Sequence, residues 1–378
     1  MPDVVIYADT FRSAELRHEV PLGIPDPFLY VETNGTRHIM IGSMEIPRLA
    51  ELGLFELHPP EEYGHDELLA SGKTWPQIRE ELNLRTLREL GVSIATVPHT
   101  FPVGVADHLR ANGIELTVDR DLFEDRRRVK STFEIAGIRR AQAAAEAGMG
   151  AARDLLRRAQ ANGDYLRVDG EPLTSEQLKV AIAQEFVAHG ATADEFIVSH
   201  GPQAAIGHDM GSGPIRPGET VVIDLWPRDN ESFCYADMTR TFVVGPVPDQ
   251  AAEWHRLCKE ALDRAIGAVK AGVEGKSVFE RTCEIFEAAG YPTQRTKTPG
   301  ETLDEGFYHG LGHGVGLEVH EAPGMGIVAD KTLKTGDVVT VEPGLYRQGV
   351  GGVRLEDLLL VTEDGAENLT SFPYELSP

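Results

Sequence analysis

GETVVID, residues 218–224, returns as GDVVTVE at residues 336–342, and this pair of segments decides how we expect the chain to fold. In each segment a glycine opens a short apolar run that ends on a carboxylate, Asp224 in the first and Glu342 in the second. Runs of this composition are typical of strands buried on both faces. A second carboxylate follows on the next strand-like segment, Asp237 thirteen residues after Asp224 and Glu356 fourteen residues after Glu342.

The sequence around the two runs repeats in the same order, which predicts an internal duplication. Two helices precede each run, and we expect them at about 133–161, 175–189, 249–271 and 277–289. Three of them begin with capping-box patterns, namely Ser131-x-x-Glu134, Thr174-x-x-Gln177 and Ser277-x-x-Glu280. The pattern predicts two αα-β-hairpin halves related by a pseudo-twofold axis, with two carboxylates from each half aimed at that axis.

The four carboxylates predict a metal site. Burying one ionised carboxylate is unfavourable, and burying four together is far more so unless cations or protons neutralise them. A salt bridge or a water-facing hairpin end explains any single one, but Arg240 and Arg354 are the local basic residues, too few for four. Two divalent cations would cancel the four charges. Ions about 3.5–4 Å apart can share one water and lower its pKa towards neutrality.

HGLGHGVGLEVHEAP, residues 309–323, contains His309, His313 and His320. Their spacing fits one helix face, but each interleaved glycine costs a helix about 1 kcal/mol, so we expect an extended or irregular segment. On a strand His309 and His313 would share one face, and His320 would point to the other. One imidazole with four carboxylates suits Mn²⁺, Co²⁺, Zn²⁺ or Fe²⁺, and the other two would donate to a reacting carbonyl. Taken singly, each histidine is better explained as a polar loop residue.

The first 125 residues predict a separate, small α/β domain. Strand-like segments lie at 3–9, 28–33, 38–43, 92–98 and 114–119, with helical patterns at 46–53, 75–91 and 102–112. Asn34-Gly35 predicts a hairpin turn between the second and third strands. RRRVKS, residues 126–131, is interpreted as a linker, so the predicted domains are 1–125 and 126–378.

Composition limits the class of protein. The hydrophobic fraction of 41% and the mean hydropathy of -0.22 are typical of a soluble globular chain, and no apolar run approaches the ~20 residues that span a bilayer. Residues 1–20 lack the pattern of a signal peptide. A net charge of -24 disfavours nucleic acid and anionic lipid as partners. Cys234, Cys258 and Cys283 form no CxxC pattern, which favours the reducing cytoplasm over a disulfide framework.

These residues resemble a known signature, the five metal ligands of the creatinase/methionine aminopeptidase superfamily, peptidase family M24. The matching set is Asp224, Asp237, His313, Glu342 and Glu356. HGLGHGVGLEVHE, VEPGLY, GGVRLED and the upstream SHGPQAAIGHD resemble motifs of its Xaa-Pro branch, the prolidases and aminopeptidases P. The likeness covers about residues 126–362 and implies an α+β fold, with a C-terminal pita-bread domain after a small α/β N-terminal domain. The Asp224–Asp237 step is longer than usual, and the short Glu342–Glu356 spacing is closer to compact prolidases.

The resemblance implies a role for each matched ligand. Asp224 would bind one metal ion with both oxygens, while Asp237 and Glu356 would bridge two ions. His313 and Glu342 would complete the second ion. Glu342 would also carry a proton from the bridging water to the leaving proline nitrogen.

The resemblance also implies residues on the substrate side. His208 and His320 match histidines that hold the scissile carbonyl and the tetrahedral intermediate, and His309 matches a histidine at the mouth of the site. Arg354 matches an arginine that supports the metal ligands or meets the substrate carboxylate, with a plain salt bridge as the alternative.

The implied activity is metal-dependent hydrolysis of Xaa-Pro bonds in short peptides by a cytoplasmic homodimer, with two divalent ions, manganese first among the candidates. The alternatives are a metal-dependent lyase or another small-substrate hydrolase of the same fold, and a non-catalytic binding protein. The complete ligand set argues against the creatinase-like and binding-only members, which lack it. Dipeptidase and aminopeptidase fit the resemblance alike.

Overall fold

The computed structural model describes residues 3–378, and the chain forms two compact units, the first ending at Arg127 and the second running from Arg128 to Pro378. Met1 and Pro2, which open the predicted N-terminal domain, lie outside the described residues. No helix within residues 3–378 is both long and apolar enough to cross a membrane.

The first unit has a six-stranded sheet at its centre. Its strands are β1 (Val4–Ala8), β2 (Phe28–Thr33), β3 (Thr36–Met40), β4 (Glu56–His58), β5 (Ile94–Val97) and β6 (Glu115–Val118), in spatial order β4-β3-β2-β1-β5-β6. Its helices are α1 (Ala14–Glu19), α2 (Ile46–Ala50), α3 (His65–Ala70), α4 (Trp75–Glu89), α5 (Val103–Ala111) and α6 (Arg120–Arg128), with a 3-10 helix at Pro60–Tyr63.

Apolar side chains of the central strand β1 point alternately to the two faces of this sheet, and both faces are buried. Val5 and Tyr7 of β1 pack into one hydrophobic cluster, and Val4 and Ile6 pack into another on the opposite face. A strand whose neighbouring side chains all reach a core is buried on both sides.

Two local predictions for this unit have different outcomes. Asn34 and Gly35 have φ of 52° and 79° and join the antiparallel strands β2 and β3, which confirms the hairpin turn. The linker interpretation of residues 126–131 is wrong at its start, because α6 continues to Arg128. Phe123 of α6 is buried in the core of the first unit, so the charged run forms a helix with an apolar anchor.

The second unit contains the duplicated segments. Its helices are α7 (Thr132–Arg158), α8 (Ser175–Ala188), α9 (Asp249–Ile266) and α10 (Gly275–Ala288), with a 3-10 helix at Gly201–Ala205. Its strands up to α9 are β7 (Gln160–Asn162), β8 (Tyr165–Val168), β9 (Glu171–Pro172), β10 (Ala191–Thr192), β11 (Ile197–His200), β12 (Thr220–Leu225), β13 (Arg228–Asp229) and β14 (Met238–Val243). Those after α10 are β15 (Glu305–Gly306), β16 (Gly312–Gly314), β17 (Glu321–Met325), β18 (Val338–Val341), β19 (Gly344–Arg347), β20 (Gly351–Arg354), β21 (Asp357–Val361) and β22 (Ala366–Asn368).

The strand pairing repeats between the two halves. β12 lies between β11 and β14, and β18 lies between β16 and β21, all antiparallel. A contacting helix pair precedes each set, α7 with α8 and α9 with α10. The structure therefore has the αα-β order that the sequence predicts for each half.

The capping predictions hold for two helices and fail for the third. Ser131 and Thr174 each accept a hydrogen bond from the third backbone N–H of α7 and α8, with the reciprocal bond present. Ser277 is not a cap, because α10 already begins at Gly275 after Glu274. The Ser277 hydroxyl instead donates to the Glu274 carbonyl oxygen at 2.9 Å.

The two halves are joined where β14 runs beside residues 354–357. The backbone N–H of Glu356 donates to the Thr239 carbonyl oxygen at 3.0 Å. Arg240 donates to the Glu356 carbonyl oxygen at 2.7 Å and to Asp357 Oδ1 at 3.0 Å, within a fully buried ion pair. These contacts bring the loop that carries Asp237 next to the one that carries Glu356.

Candidate metal centre

All nine residues predicted for the site line one cavity of about 720 Å³ in the second unit. They are His208, Asp224, Asp237, His309, His313, His320, Glu342, Arg354 and Glu356. Residues more than 140 positions apart in the chain thus share one space, as the duplication predicts.

The carboxylates enter the cavity from matching positions in the two halves. Asp224 lies in β12 and Glu342 directly follows β18, while Asp237 and Glu356 directly precede β14 and β21. Asp224, Asp237 and Glu356 are each at most 9 % exposed. Ligand atoms of Asp237, His313 and Glu356 all lie within 4.8 Å of one another, close enough to share one ion.

Three of the carboxyl groups have raised pKa values, those of Asp237, Glu342 and Glu356. Burial, together with the charges of Glu356 and Asp224, raises the pKa of Asp237 well above its ordinary value. Burial and the charge of Glu342 do the same to the pKa of Glu356. Burial raises the pKa of Glu342 to about 8, although Arg354 opposes the shift. Without a cation these groups hold protons to unusually high pH, and a divalent ion would remove that cost.

Two carboxylate oxygens point to the same conclusion. Asp224 Oδ1 and Asp237 Oδ1 are buried and have no hydrogen-bond partner within residues 3–378. A buried, unpaired carboxylate oxygen is costly unless it binds a cation. Oxygen-rich donors with one imidazole suit hard and borderline divalent ions, so these residues fit the metal centre that the sequence predicts.

His313 is oriented to offer one ring nitrogen to the carboxylates. Its Nδ1 donates to the Gly314 carbonyl oxygen at 3.1 Å, which leaves Nε2 with a free lone pair in the neutral ring. Nε2 lies 3.7 Å from Asp237 Oδ2 and 3.6 Å from Glu342 Oε1. Burial, followed by the neighbouring His320, lowers the pKa of His313 to about 4, so the ring is neutral and able to bind a metal.

His313 and His320 lie beside each other in the cavity, which corrects the predicted alternation. His320 does not point away from His313: their ring centroids are 4.3 Å apart. The alternation fails because the extended segment ends at Gly314 and the chain turns before β17 begins at Glu321. Burial, with the nearby His208, also lowers the pKa of His320.

Arg354 is held among the ligands by contacts that the sequence did not identify. It donates to Asp224 Oδ2, to the Thr239 hydroxyl at 3.2 Å and to the Tyr346 hydroxyl at 3.2 Å. Thr239 in turn donates to Glu356 Oε2 at 2.7 Å. The Tyr346 hydroxyl donates to His309 Nε2 at 2.8 Å, because His309 Nδ1 donates to a backbone carbonyl.

The cavity also has an apolar wall that sequence reasoning missed. Besides the charged and polar residues, the cavity is lined by four apolar side chains, those of Ile197, Met210, Trp226 and Val319. Trp226 could have been noticed in the sequence, because it is one of three tryptophans in the chain and stands two residues after Asp224. An apolar wall beside an acidic cluster can seat an uncharged part of a substrate while the reacting bond meets the polar groups.

Comparisons with known proteins agree with this site. The profile of metallopeptidase family M24 matches residues 136–363. The chain is 33% identical over 257 residues to the Xaa-Pro dipeptidase of Pyrococcus furiosus, covering 68% of this chain and 67% of that protein. The prolidase structure of Pyrococcus horikoshii aligns with a TM-score of 0.76 at 25% identity, covering 100% of this chain and 95% of that one.

A further solved structure shares the fold. The X-Pro aminopeptidase of Thermotoga maritima aligns with a TM-score of 0.78 at 23% identity, over 99% of this chain and 97% of that one. The predicted resemblance to the Xaa-Pro branch and the predicted α+β, pita-bread fold class are confirmed. From its ligand geometry, its fold and its relatives, the chain belongs to metallopeptidase family M24.

Proposed function

We propose that this enzyme hydrolyses Xaa-Pro bonds in short peptides with two divalent metal ions in the cavity described above. The observation that carries the proposal is the meeting of four carboxylates and His313 around one space, with buried oxygens of Asp224 and Asp237 left unpaired. The names of the P. furiosus and P. horikoshii relatives support the Xaa-Pro bond as the target.

The five ligands divide between the two ions as follows. Asp224 would hold one ion, and Asp237 and Glu356 would hold both, a sharing that their mutual approach supports. His313 Nε2 and Glu342 complete the second ion, which their 3.6 Å separation supports. We propose Mn²⁺ as the native metal. The alternatives are Co²⁺, Zn²⁺ and Fe²⁺, since four carboxylates with one imidazole suit these ions as well.

When bound, such a pair of ions lowers the pKa of water and polarises the scissile carbonyl. The residues around it orient the substrate and move its protons. Glu342 accepts a proton from the attacking water and passes it to the leaving proline nitrogen. His208 and His320 donate hydrogen bonds to the carbonyl oxygen as it gains negative charge. His309, which Tyr346 holds by a hydrogen bond, is proposed to meet the substrate at the mouth of the site.

The apolar wall accounts for the choice of bond. Proline has no N–H and its ring fixes φ, so the bond is a tertiary amide with a rigid, apolar leaving group. The apolar side chains of Trp226, Met210 and Ile197 can contact the proline ring while the acidic residues face the reacting bond. Because the proline nitrogen has no N–H, its burial there leaves no donor unpaired.

Arg354 supports the ligands in this proposal and does not meet the substrate carboxylate. Its Nε donates to Thr239, its Nη1 to Tyr346 and its Nη2 to Asp224. An arginine engaged in this way fixes the orientation of Asp224.

Several wider features belong to the same proposal. We propose a cytoplasmic homodimer that binds neither nucleic acid nor membrane. Three free, buried cysteines support the location, and the net charge of -24 supports the absence of anionic partners. The domains are proposed to be 1–125 and 126–378, which the compact unit beginning at Arg128 supports.

Substrate assays test the proposal directly. Metal-depleted enzyme would be reloaded with Mn²⁺ and offered Ala-Pro, Gly-Pro and matched Xaa-Pro-Yaa tripeptides. Cleavage of the dipeptides alone identifies a dipeptidase, and cleavage of the tripeptides identifies an aminopeptidase. Failure to cleave either set with any of the four metals contradicts the proposed function.

A further inference from the structure

Arg240 is buried beside the metal centre, although it does not line the cavity. It is 1 % exposed and lies in β14, three residues after Asp237. A buried guanidinium is unfavourable unless its charge and its N–H groups are paired. The partners of Arg240 therefore indicate what this buried charge does in the fold.

One side of the Arg240 guanidinium faces the metal ligands. Its Nη1 donates to the carbonyl oxygens of Thr239 at 2.9 Å and of Glu356 at 2.7 Å. The Thr239 carbonyl oxygen also accepts a hydrogen bond from the Glu356 N–H at 3.0 Å, and the Thr239 hydroxyl donates to Glu356 Oε2 at 2.7 Å. The position of the Glu356 carboxylate thus depends on the two backbone segments that Arg240 joins.

The remaining N–H groups face Asp357 and residues 372–374, which we call the C-terminal segment. Nη2 donates to Asp357 Oδ1 at 3.0 Å and to the Phe372 carbonyl oxygen at 2.9 Å, and Nε donates to the Pro373 carbonyl oxygen at 3.0 Å. A guanidinium has five N–H groups in one rigid plane, and all five of Arg240 have an acceptor. This complete set of acceptors fixes the orientation of the plane.

Contacts of its own hold the C-terminal segment against Arg240. The Tyr374 ring centroid lies 4.4 Å from the guanidinium carbon, and the Tyr374 hydroxyl donates to Asp357 Oδ2 at 2.6 Å. His255 Nε2, on α9, donates to the Tyr374 carbonyl oxygen at 2.7 Å. The segment therefore completes a clamp around the guanidinium on the side away from the ligands.

Arg240 can act on the ligands only through the backbone. Thr239 and Arg240 are neighbours in β14, so their side chains point to opposite faces of the strand. Thr239 bonds to the Glu356 carboxylate, whereas Arg240 bonds to backbone carbonyl oxygens and to Asp357. Arg240 is thus placed to orient a metal ligand without contacting an ion or a substrate.

We propose that Arg240 is a positioning residue of the metal centre. Together with the C-terminal segment it fixes the backbone of Glu356 beside that of Thr239, and so sets the separation of the Asp237 and Glu356 carboxylates. This inference rests on the proposed function, because it assumes that these two carboxylates share metal ions.

Calorimetric titration of Mn²⁺ into the full-length, metal-depleted protein tests the proposal, together with kinetics on an Xaa-Pro peptide. Arg240→Lys keeps the charge but replaces five donors in a plane by three donors on one nitrogen. Replacing a residue that orients a metal ligand typically costs about 10–100-fold in metal affinity or activity. We therefore expect Mn²⁺ binding weakened by about 10–100-fold, and kcat lowered about tenfold with KM unchanged.

Arg128→Lys is the matched control. Arg128 forms another buried ion pair of the second unit, with Asp337 at 2.7 Å, and it does not line the cavity. This variant should lose stability as Arg240→Lys does, but it should bind Mn²⁺ like the parent. A merely structural role for Arg240 predicts that both variants bind Mn²⁺ like the parent.

A second variant keeps the test decisive if Arg240→Lys fails to fold. Tyr374→Leu, at a half-buried position, removes the ring that stacks on Arg240 and the hydrogen bond to Asp357. It should weaken Mn²⁺ binding about threefold or more.

Undiminished Mn²⁺ binding in Arg240→Lys, or in Tyr374→Leu where it takes its place, overturns the inference and leaves the proposed function standing. Equal weakening in Arg128→Lys overturns it as well, because the effect would then follow from lost stability. If the parent protein binds fewer than two Mn²⁺ ions, the proposed two-ion centre fails and this inference fails with it.

Discussion

The imidazoles of His313 and His320 meet edge to face, with their ring centroids 4.3 Å apart and their planes inclined by 66°. His313 faces Asp237 and Glu342, while His320 lies on the side of His208. Neighbouring histidines therefore divide between two tasks in the proposed function, one binding metal and the other binding the carbonyl oxygen.

His320→Ala should lower kcat by about 10²–10³ and leave the metal content unchanged, because it removes one donor to the transition state and no metal ligand. Metal analysis alongside steady-state kinetics on an Xaa-Pro peptide checks this. His189→Ala, a change to an exposed histidine outside the cavity, serves as the control and should be silent. An unchanged kcat in His320→Ala would remove the residue from the mechanism.

Asp237→Asn should have opposite effects on the metal-free and metal-loaded protein. It removes a carboxyl group whose pKa burial and its acidic neighbours raise in the metal-free fold, and such a group reduces stability at neutral pH. The metal-free variant should therefore be more stable than the metal-free parent. It also removes a proposed bridging ligand, so the gain in Tm on adding Mn²⁺ should be smaller than in the parent, and nearly all turnover should be lost. Calorimetry with chelator and with Mn²⁺ separates the two effects. A metal-free variant that melts below its parent would argue against crowded charge at this position.

Arg354→Met should reduce the free energy of unfolding by about 3–5 kcal/mol, because it leaves Asp224 without its buried partner. Arg354→Lys should recover only part of this, since an ammonium cannot reproduce the planar fork that spans three partners. Denaturant unfolding of both variants gives the comparison.

Kinetics of the same Arg354 variants test whether Arg354 supports the metal ligands, as proposed, or binds the substrate carboxylate. If Arg354 supports the metal ligands, its substitution should lower kcat/KM by the same factor for dipeptides and for tripeptides. A selective rise in KM for dipeptides would instead mean that Arg354 binds the substrate carboxylate.

The metal-free protein should lose stability as the pH rises from about 5 to 8. The pKa of Glu342 is raised to about 8 in the fold, whereas carboxyl groups of an unfolded chain titrate near 4. Between these values the folded state holds more protons than the unfolded state, so the free energy of unfolding falls with rising pH. Unfolding in chelator at several pH values should show a shallower slope in Glu342→Gln. Equal slopes in variant and parent would contradict the shift.

Local sequence patterns predicted those parts of the fold whose causes are local. Ser131 and Thr174 cap helices because the side chain and the N–H it accepts from are three residues apart. The same pattern at Ser277 predicts the wrong first residue for α10, because contacts with other segments fix the two residues at which this helix begins, Glu274 and Gly275. A Cβ at Gly275 would lie 2.4 Å from the Gly324 carbonyl oxygen, and Glu274 bridges to Thr332, so the helix starts earlier.

The duplication made the repeated carboxylates of the candidate site predictable from the sequence. The residues that contact them without being repeated were not predictable. Asp224 and Glu342 were found because their strands repeat, and their convergence follows from that symmetry. Tyr346 and Thr239 have no such signal: they matter through contacts with Arg354, which the fold creates between distant segments. Arg128 and Asp337 form a buried ion pair across 209 positions, and no short-range pattern reports a partner that far away.

Anomalous X-ray diffraction from crystals soaked in Mn²⁺ locates the ions without reference to activity. We expect two peaks about 3.5–4 Å apart in contact with four carboxylates and His313 Nε2, and one peak in Asp237→Asn crystals. A single peak in the parent protein, or peaks away from Asp224, Asp237, Glu342 and Glu356, would contradict the proposed two-ion centre.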